Sequence, residues 1–260
     1  MHILVDVGNT TIRVGVFDEI LKRSLSLTTD LKKTSDEYEI ILNQQMELIK
    51  EEAIKAETIV YSSVVPEINM ALKQALKRVF PNAKMLLVSP GIKTGLLLKV
   101  DSPSEVGSDL IADLVGAKEK YGYPSIVVDL GTASKILTLD KNGAFISALI
   151  LPGITLSANS LSNKASLLPN VSLEAPKTVL AKNTNDAMNS GIVYGHAEMI
   201  SGLIKRIEKE LGYPCKHILT GGNAFIIKDV LENPFIYDEY LVYEGLNVIY
   251  MKNGGKENDK

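Results

Sequence analysis

Two short stretches carry residue types suited to holding a phosphate chain. Ile3-Leu4-Val5-Asp6-Val7-Gly8-Asn9-Thr10 and Ile126-Val127-Val128-Asp129-Leu130-Gly131-Thr132-Ala133 share one layout: an apolar run, an Asp, an apolar residue, a Gly, then small polar residues. The β-branched and Leu runs fit buried strands. Each Gly permits a tight turn and a close approach of a ligand to the backbone. Asn9, Thr10 and Thr11, or Thr132 and Ser134, then offer hydroxyl, amide and backbone N–H donors to an anion. The carboxylate just before them repels a phosphate unless a metal ion or water lies between the two. Taken singly, each stretch is also an ordinary hairpin with a turn Asp and Gly. As a pair, with the second Asp 123 residues after the first, they read as the openings of two related halves that together clamp a phosphate chain. The chain has no GxxxxGK[ST] and no GxGxxG, so neither a Walker loop nor a dinucleotide fingerprint is expected.

A second group of acids lies between them. Asp109 and Asp113 are four residues apart and share one helix face. By spacing alone they form a solvated acidic face with mild repulsion. Ser102-Pro103-Ser104-Glu105 has the signature of a helix start, with Ser as N-cap, Pro in first place and Glu closing a capping box. That helix is expected to run to Tyr121, where Gly122 and Pro124 stop it. Gly107 removes a side chain near its beginning. Further on, Thr220-Gly221-Gly222-Asn223 joins a strand to a helix, which sets backbone N–H groups at a helix N-terminus suited to a nucleotide's polar edge.

These residues need elements to position them. After the first turn the pattern predicts strands at Ile12–Phe17 and around Ser24–Thr28, then a surface helix after Ser35 with Tyr38, Ile41, Leu42, Gln45, Leu48 and Ile49 on one face. A buried strand at Thr58–Ser63, a helix from Pro66 bearing Leu72 and Leu76, and a strand at Lys84–Val88 complete a βββαβαβ order, that of an RNase-H-like half. The second half repeats the plan, with strands from Ile126, at Lys135–Asp140 and at Ala144–Ile150. A helix over Ile154–Asn163 and an ordered loop over Lys164–Asn183 follow. Thr184 is then expected to cap a long helix with a stripe of Met188, Ile192, Met199, Leu203, Ile207 and Leu211, closed by Gly212. Gly191 and Gly195, four apart in it, let another helix or a ligand come close, and plain helix packing is the first expectation. A strand at Lys216–Leu219, a last strand-helix unit over Leu241–Tyr250 and a polar tail complete the chain.

Composition narrows the classes. A chain of 260 residues, 45% hydrophobic, buries a substantial core in one large or two modest domains. A net charge of −3 argues against nucleic-acid binding. The single cysteine, Cys215, excludes an internal disulfide and suits a reducing compartment. No apolar run reaches the roughly 20 residues of a membrane span, and no basic leader precedes the first strand, so a soluble cytoplasmic protein without membrane contact is expected.

In its motifs the chain resembles the type III pantothenate kinases, a family of the actin-like two-domain ATPases and kinases. The resemblance rests on Asp6-Val7-Gly8-Asn9-Thr10, Pro103 to Asp109, Asp129-Leu130-Gly131-Thr132, Leu151-Pro152-Gly153, Leu168-Pro169, Thr184, Ser190-Gly191, Thr220-Gly221-Gly222 and Gly245-Leu246. It covers Met1 to about Met251. The fold it implies is α/β, with two RNase-H-like domains facing a central cleft, over residues 1–117 and 118–251 with a tail at 252–260. The activity it implies is ATP-dependent phosphorylation of pantothenate to 4′-phosphopantothenate, the entry to coenzyme A. It further implies that Asp6, Val7, Gly8, Asn9, Thr10, Thr11, Ile12 and Arg13 bind the ATP phosphates together with Thr132. Asp6 lies near Mg2+ through water, and Asp129 ligates a monovalent cation, K+ or NH4+. By the same resemblance Asp109 accepts the proton of the acceptor hydroxyl, and Gly107, Ser108, Leu110 and Thr184 line the substrate. Family members are homodimers.

The chain departs from the family pattern around the acceptor. Leu110 stands where an Arg follows the catalytic Asp, Val100 where a Tyr is usual, and Ser147-Ala148 where paired glycines are usual. Ser134-Lys135 replaces a Thr pair beside the second turn. A lost hydrogen bond from Arg to a carboxylate is worth roughly 1.5–3 kcal/mol. The acceptor therefore stays open between pantothenate and another small alcohol, beside a nucleotide-binding regulator of the same fold.

Overall fold

The computed structural model describes residues 1–47, 55–89, 91–165, 167–232 and 234–255. The chain divides into two compact units. The first holds Met1–Leu96, Ser102–Glu119 and Val242–Lys260; the second holds Leu97–Asp101 and Lys120–Leu241. A single passage between domains near residue 117, as the sequence suggests, is thus not what is observed. The C-terminal helix, Leu241–Lys252, packs its residues from Val242 onward into the first unit because its apolar side chains find their core there.

The first unit is built on a five-stranded sheet. Its strands are β1 (His2–Val7), β2 (Thr11–Asp18), β3 (Ile20–Thr28), β4 (Thr58–Ser63) and β5 (Lys84–Leu87), in the order β3-β2-β1-β4-β5. β2 pairs antiparallel with both β1 and β3, while β4 runs parallel to β1 and β5. All six residues of β1 are buried, as a central strand covered on both faces requires. Alternation along β1 sorts its side chains. Ile3, Val5 and Val7 join one core with Tyr38, Leu42 and Met46 of α1 (Ser35–Met46) and Leu72, Ala75 and Leu76 of α2 (Asn69–Val79). Leu4, with Val60 of β4, joins a second core on the other face. There it meets Ala112 and Val115 of α3 (Ser108–Tyr121) and Val242, Tyr243, Leu246 and Ile249 of the C-terminal helix.

The predicted βββαβαβ order is observed, with local corrections. α1 is capped by Thr34, whose hydroxyl accepts from the Glu37 amide while the Glu37 carboxylate accepts from the Thr34 amide. Its buried face uses Met46, four residues after Leu42, and leaves Gln45 exposed; Leu48 and Ile49 lie outside the described residues. Pro66–Ile68 is a single 3-10 turn ahead of α2. Pro103–Glu105 likewise forms only a 3-10 turn, with no cap from Ser102 and an extended Val106. The expected capping box is absent because the true helix start is Ser108, where the side chain is used on β4.

The second unit carries a six-stranded sheet. Its strands are β6 (Leu97–Leu98), β7 (Ser125–Leu130), β8 (Ala133–Leu139), β9 (Ala144–Pro152), β10 (Lys216–Thr220) and β11 (Ile236–Tyr237), ordered β11-β10-β7-β8-β9-β6. β7 is buried throughout, like β1. Ile126, Val128 and Leu130 face a core shared with Ile154 and Ala158 of α4 (Ile154–Lys164) and with Met188 of α5 (Thr184–Asn189). Ile200 and Ile204 of α6 (Gly195–Leu211) complete that side. The cap of α5 is Asn183, whose side chain accepts from the Asp186 amide, one residue ahead of the expected Thr184.

Between α5 and α6, Ser190–Tyr194 is a π-helical segment. A wider turn inserts one residue into the helical count. The expected stripe holds at Met188 and Ile192, then shifts by one to Val193, Ala197, Ile200 and Ile204, leaving Met199 and Leu203 only half-buried. Gly212, at φ 77°, closes α6 as expected. Lys252 ends the C-terminal helix rather than opening a tail, and residues 256–260 of the predicted tail lie outside the described residues. Among the described residues no helix is long and apolar enough to cross a membrane.

A Cβ on Gly245 of the C-terminal helix would overlap the Ala112 carbonyl of α3, so these helices touch backbone to backbone. Gly202 in α6 opens on free space. Urea denaturation is expected to show Gly245→Ala destabilised by ~1–3 kcal/mol. Gly202→Ala is expected to be neutral or stabilised by up to about 1 kcal/mol.

Candidate active site

The first turn closes tightly. The Gly8 amide donates to the Thr11 carbonyl at 3.0 Å, leaving Asn9 and Thr10 exposed at the tip. The Thr29 hydroxyl braces the Gly8 carbonyl at 2.6 Å. Val7 and Ile12 are buried on either side as the last ladder pair. Asp6 is one residue back, 4% exposed, on the sheet face that carries α3. Register places it opposite Arg13 on β2 and Ser62 on β4. Arg13 Nη1 lies 3.8 Å from Asp6 Oδ2, and the Ser62 hydroxyl donates to Asp6 Oδ1 at 3.1 Å.

From Ser62 the polar chain continues into α3. Ser62 Oγ is 2.9 Å from Ser108 Oγ, which also accepts from the Ser63 amide at 3.2 Å. Ser108 thus fixes the start of α3 against the carboxyl end of β4, and Asp109, half-buried, follows in its first turn. A Cβ on Gly107 would overlap Asp109 Oδ1, so a side chain there would turn the Asp109 carboxylate out of this place. Leu110 is half-buried beside it. Asp113 is 5% exposed, which removes the reading of the two acids as one solvated face.

In the second unit the turn has the same plan with different supports. Asp129, 8% exposed, ends β7 opposite Lys135 on β8 and Thr220 on β10. Lys135 Nζ donates to Asp129 Oδ2 at 3.1 Å. A Cβ on Gly153 would overlap the Thr132 carbonyl, and one on Gly221, at φ 96°, would come within 2.5 Å of the Leu130 amide. Two backbones therefore press on this turn, while Thr132 itself is exposed. The Asn223 amide donates to the Leu130 carbonyl, and its side-chain amide donates to the Gly131 carbonyl. The following helix, α7 (Ala224–Ile227), has only four residues. The Thr220–Asn223 turn is thus a buttress for the Asp129–Thr132 turn, not the expected open set of helix N-terminal donors.

Ser134, on the opposite face of β8 from Lys135, meets His196 of α6 at 2.8 Å between hydroxyl and Nε2. Burial lowers the His196 pKa, which keeps the ring neutral. His196 also lines a cavity of about 930 Å3 with Thr184, Leu156, Leu161 and Met188. Gly191 and Gly195 open onto it: beyond their own stretch of helix, no atom of the described residues lies within 4 Å of where their Cβ atoms would be. Of the two expectations for these glycines, close helix packing is not observed, and the open space beside them is what a ligand would need.

The sequence model of the type III pantothenate kinase family matches residues 2–206. The chain belongs to the type III pantothenate kinases. The type III pantothenate kinase of Halalkalibacterium halodurans is 39% identical over 254 residues, covering 97% of this chain and 100% of that protein. The one of Agathobacter rectalis is 37% identical over 258 residues, covering 98% and 99%. Among solved structures, the activator of the 2-hydroxyisocaproyl-CoA dehydratase from Clostridium difficile, with bound ADPNP, superposes with a TM-score of 0.56 at 16% identity, covering 96% of this chain and 95% of that one. Together with the two mixed sheets, this is the actin-like two-domain α/β fold.

Within this pantothenate kinase, sequence reasoning missed Ser62, Ser63 and His196. The polar Ser62-Ser63 pair at the end of an otherwise apolar strand was the available signal; His196 had none, since its partner is 62 residues away. Gly221→Ala, which would press on Leu130 and Asp129, is expected to weaken ATP binding about tenfold, or ~1.4 kcal/mol, by calorimetric titration. Unchanged affinity would separate the second turn from the nucleotide.

Proposed function

We propose that this chain transfers the γ-phosphoryl group of ATP to the hydroxyl of pantothenate, giving 4′-phosphopantothenate for coenzyme A synthesis. The observation that carries the residue assignment is the polar chain Asp6–Ser62–Ser108 leading to Asp109 over glycine. Through side-chain hydrogen bonds it links the first turn, on β1, to the first turn of α3 by way of β4.

In this reading the turn from Asp6 to Arg13, with Val7, Gly8, Asn9, Thr10, Thr11 and Ile12, meets the ATP phosphates, and Thr132 adds donors from the second turn. Mg2+ keeps several waters and takes one or two carboxylates plus substrate phosphates. Asp6, buried at the base of the first turn, would hold the ion through water, and the ion would neutralise charge on the phosphates. Phosphoryl transfer asks the protein mainly for positioning and charge stabilisation. A carboxylate is a far weaker base than an alkoxide and does not strip an alcohol beforehand. Asp109 therefore orients the hydroxyl and accepts its proton late in the transfer. Gly107, Ser108 and Leu110 shape the acceptor side, and Thr184 contributes from the cavity in the second unit.

We assign the active form as a homodimer. Leu156 and Leu161 of α4 are 52% and 42% exposed at the rim of the cavity onto which Gly191 and Gly195 open. An apolar patch of that kind on a folded chain marks a partner surface. The cytoplasm, where ATP is at hand, is the compartment this reading implies.

A coupled ADP-release assay with pantothenate, and mass spectrometry of the product, tests the function. ATP turnover only with some other alcohol would redirect the acceptor. Asp109→Asn is expected to cut turnover at least ~tenfold, within the range of general-base contributions, with ATP affinity little changed; an unaltered rate would make Asp109 an ordinary helix acid. Sedimentation is expected to give a dimer, shifted toward monomer by Leu161→Glu.

A further inference from the structure

Both turn carboxylates face a cation directly across their antiparallel ladder, Asp6 opposite Arg13 and Asp129 opposite Lys135. The second contact is the closer, 3.1 Å against 3.8 Å, and both are secluded: the Lys135 and Asp129 side chains are 20% and 12% exposed, those of Arg13 and Asp6 26% and 5%. A carboxylate this far from water is costly without a positive partner, and attraction between the two is strengthened by the same seclusion.

The surroundings of Asp129 leave little latitude. Gly221 packs so closely that a Cβ there would lie 2.6 Å from Asp129 Oδ1, while Oδ2 accepts from the Lys135 ammonium. The resemblance implies K+ or NH4+ at Asp129. A free monovalent cation at this carboxylate would have to share it with a like charge, so the residues present do not fit that ion. An alkylammonium is the tethered form of NH4+, with the same charge and three donors.

We propose that Lys135 is a built-in counter-ion of the second phosphate turn, standing where a free monovalent cation otherwise would. Nucleotide binding and phosphoryl transfer by this chain are then independent of K+ and NH4+. The transfer half of this statement rests on the kinase reading above; the nucleotide half rests on the turn alone.

The test compares the full-length protein in KCl and in tetramethylammonium chloride at one ionic strength. Three quantities are read: ATP·Mg2+ affinity by calorimetry, phosphorylation of pantothenate, and binding of Tl+, a K+ surrogate, by 205Tl NMR. For the native chain, affinity and rate are expected to agree within about twofold between the salts, without Tl+ binding. Lys135→Thr is expected to lose about tenfold in affinity in tetramethylammonium, the order of one charge-assisted hydrogen bond, and to recover it in K+ or NH4+. Lys135→Met, which keeps the apolar stem, repeats the comparison if the Thr variant does not fold. A native chain whose ATP affinity climbs tenfold with K+ overturns the proposal, and so does a pair of folded variants indifferent to K+. ATP binding without pantothenate phosphorylation in either salt would instead sink the kinase reading, and the affinity comparison would still decide the role of Lys135.

Discussion

A carboxylate buried at the carboxyl end of a central strand is the constraint that orders this structure. Burying an ionised group costs several kcal/mol unless charge and hydrogen bonds compensate. Asp6 and Asp129, 4% and 8% exposed, are each compensated by a cation one strand over. Asp6 also accepts from the Ser62 hydroxyl of the strand on its other side, whereas beside Asp129 the residue after β10 is Gly221, where a side chain has no room. Ligands in open α/β sheets bind beyond the carboxyl ends of the strands, and there each turn exposes its small polar residues.

How these residues come together follows from sheet periodicity. The side-chain period of a strand is two, so a slip of one residue between β1 and β4 would move Asp6 and Ser62 to opposite faces. The register is pinned by apolar neighbours: Ile3, Val5 and Val7 need the α1–α2 face, while Leu4 and Val60 need the face of α3 and the C-terminal helix. Packing of the core thereby aligns Asp6 with Ser62, and Ser62 with the start of α3.

Much of this was legible in the chain itself. The repeated strand-Asp-Gly layout and the βββαβαβ order come from local patterns, and Gly245 stands where a Cβ would run into the Ala112 backbone. What eluded the sequence was set by tertiary contacts or by helix geometry. Ser102-Pro103-Ser104-Glu105 has every local feature of a helix cap, yet α3 begins at Ser108 because that hydroxyl is engaged with Ser62 and Ser63. The π segment at Ser190–Tyr194 shifted the buried stripe by one residue, which no 3.6-residue count anticipates. The Thr220–Asn223 turn looked like an anion site, but its Asn223 donors are spent on the carbonyls of Leu130 and Gly131.

The two turns also divide their supports differently, and this bears on which of them tolerates change. The first is held by side chains and a hairpin: the Thr29 hydroxyl on Gly8, Ser62 on Asp6, and the Gly8–Thr11 bond. Each of those costs about 1 kcal/mol to lose and leaves the backbone path intact. The second is held mainly by backbones in close contact, at Gly153 against Thr132 and at Gly221 against Leu130, with the Asn223 side chain on the Gly131 carbonyl. No substitution relieves such a contact without moving a strand end. Its position is therefore set by two glycines from distant parts of the chain. Charge at Asp129, by contrast, is left to the flexible side chain of Lys135.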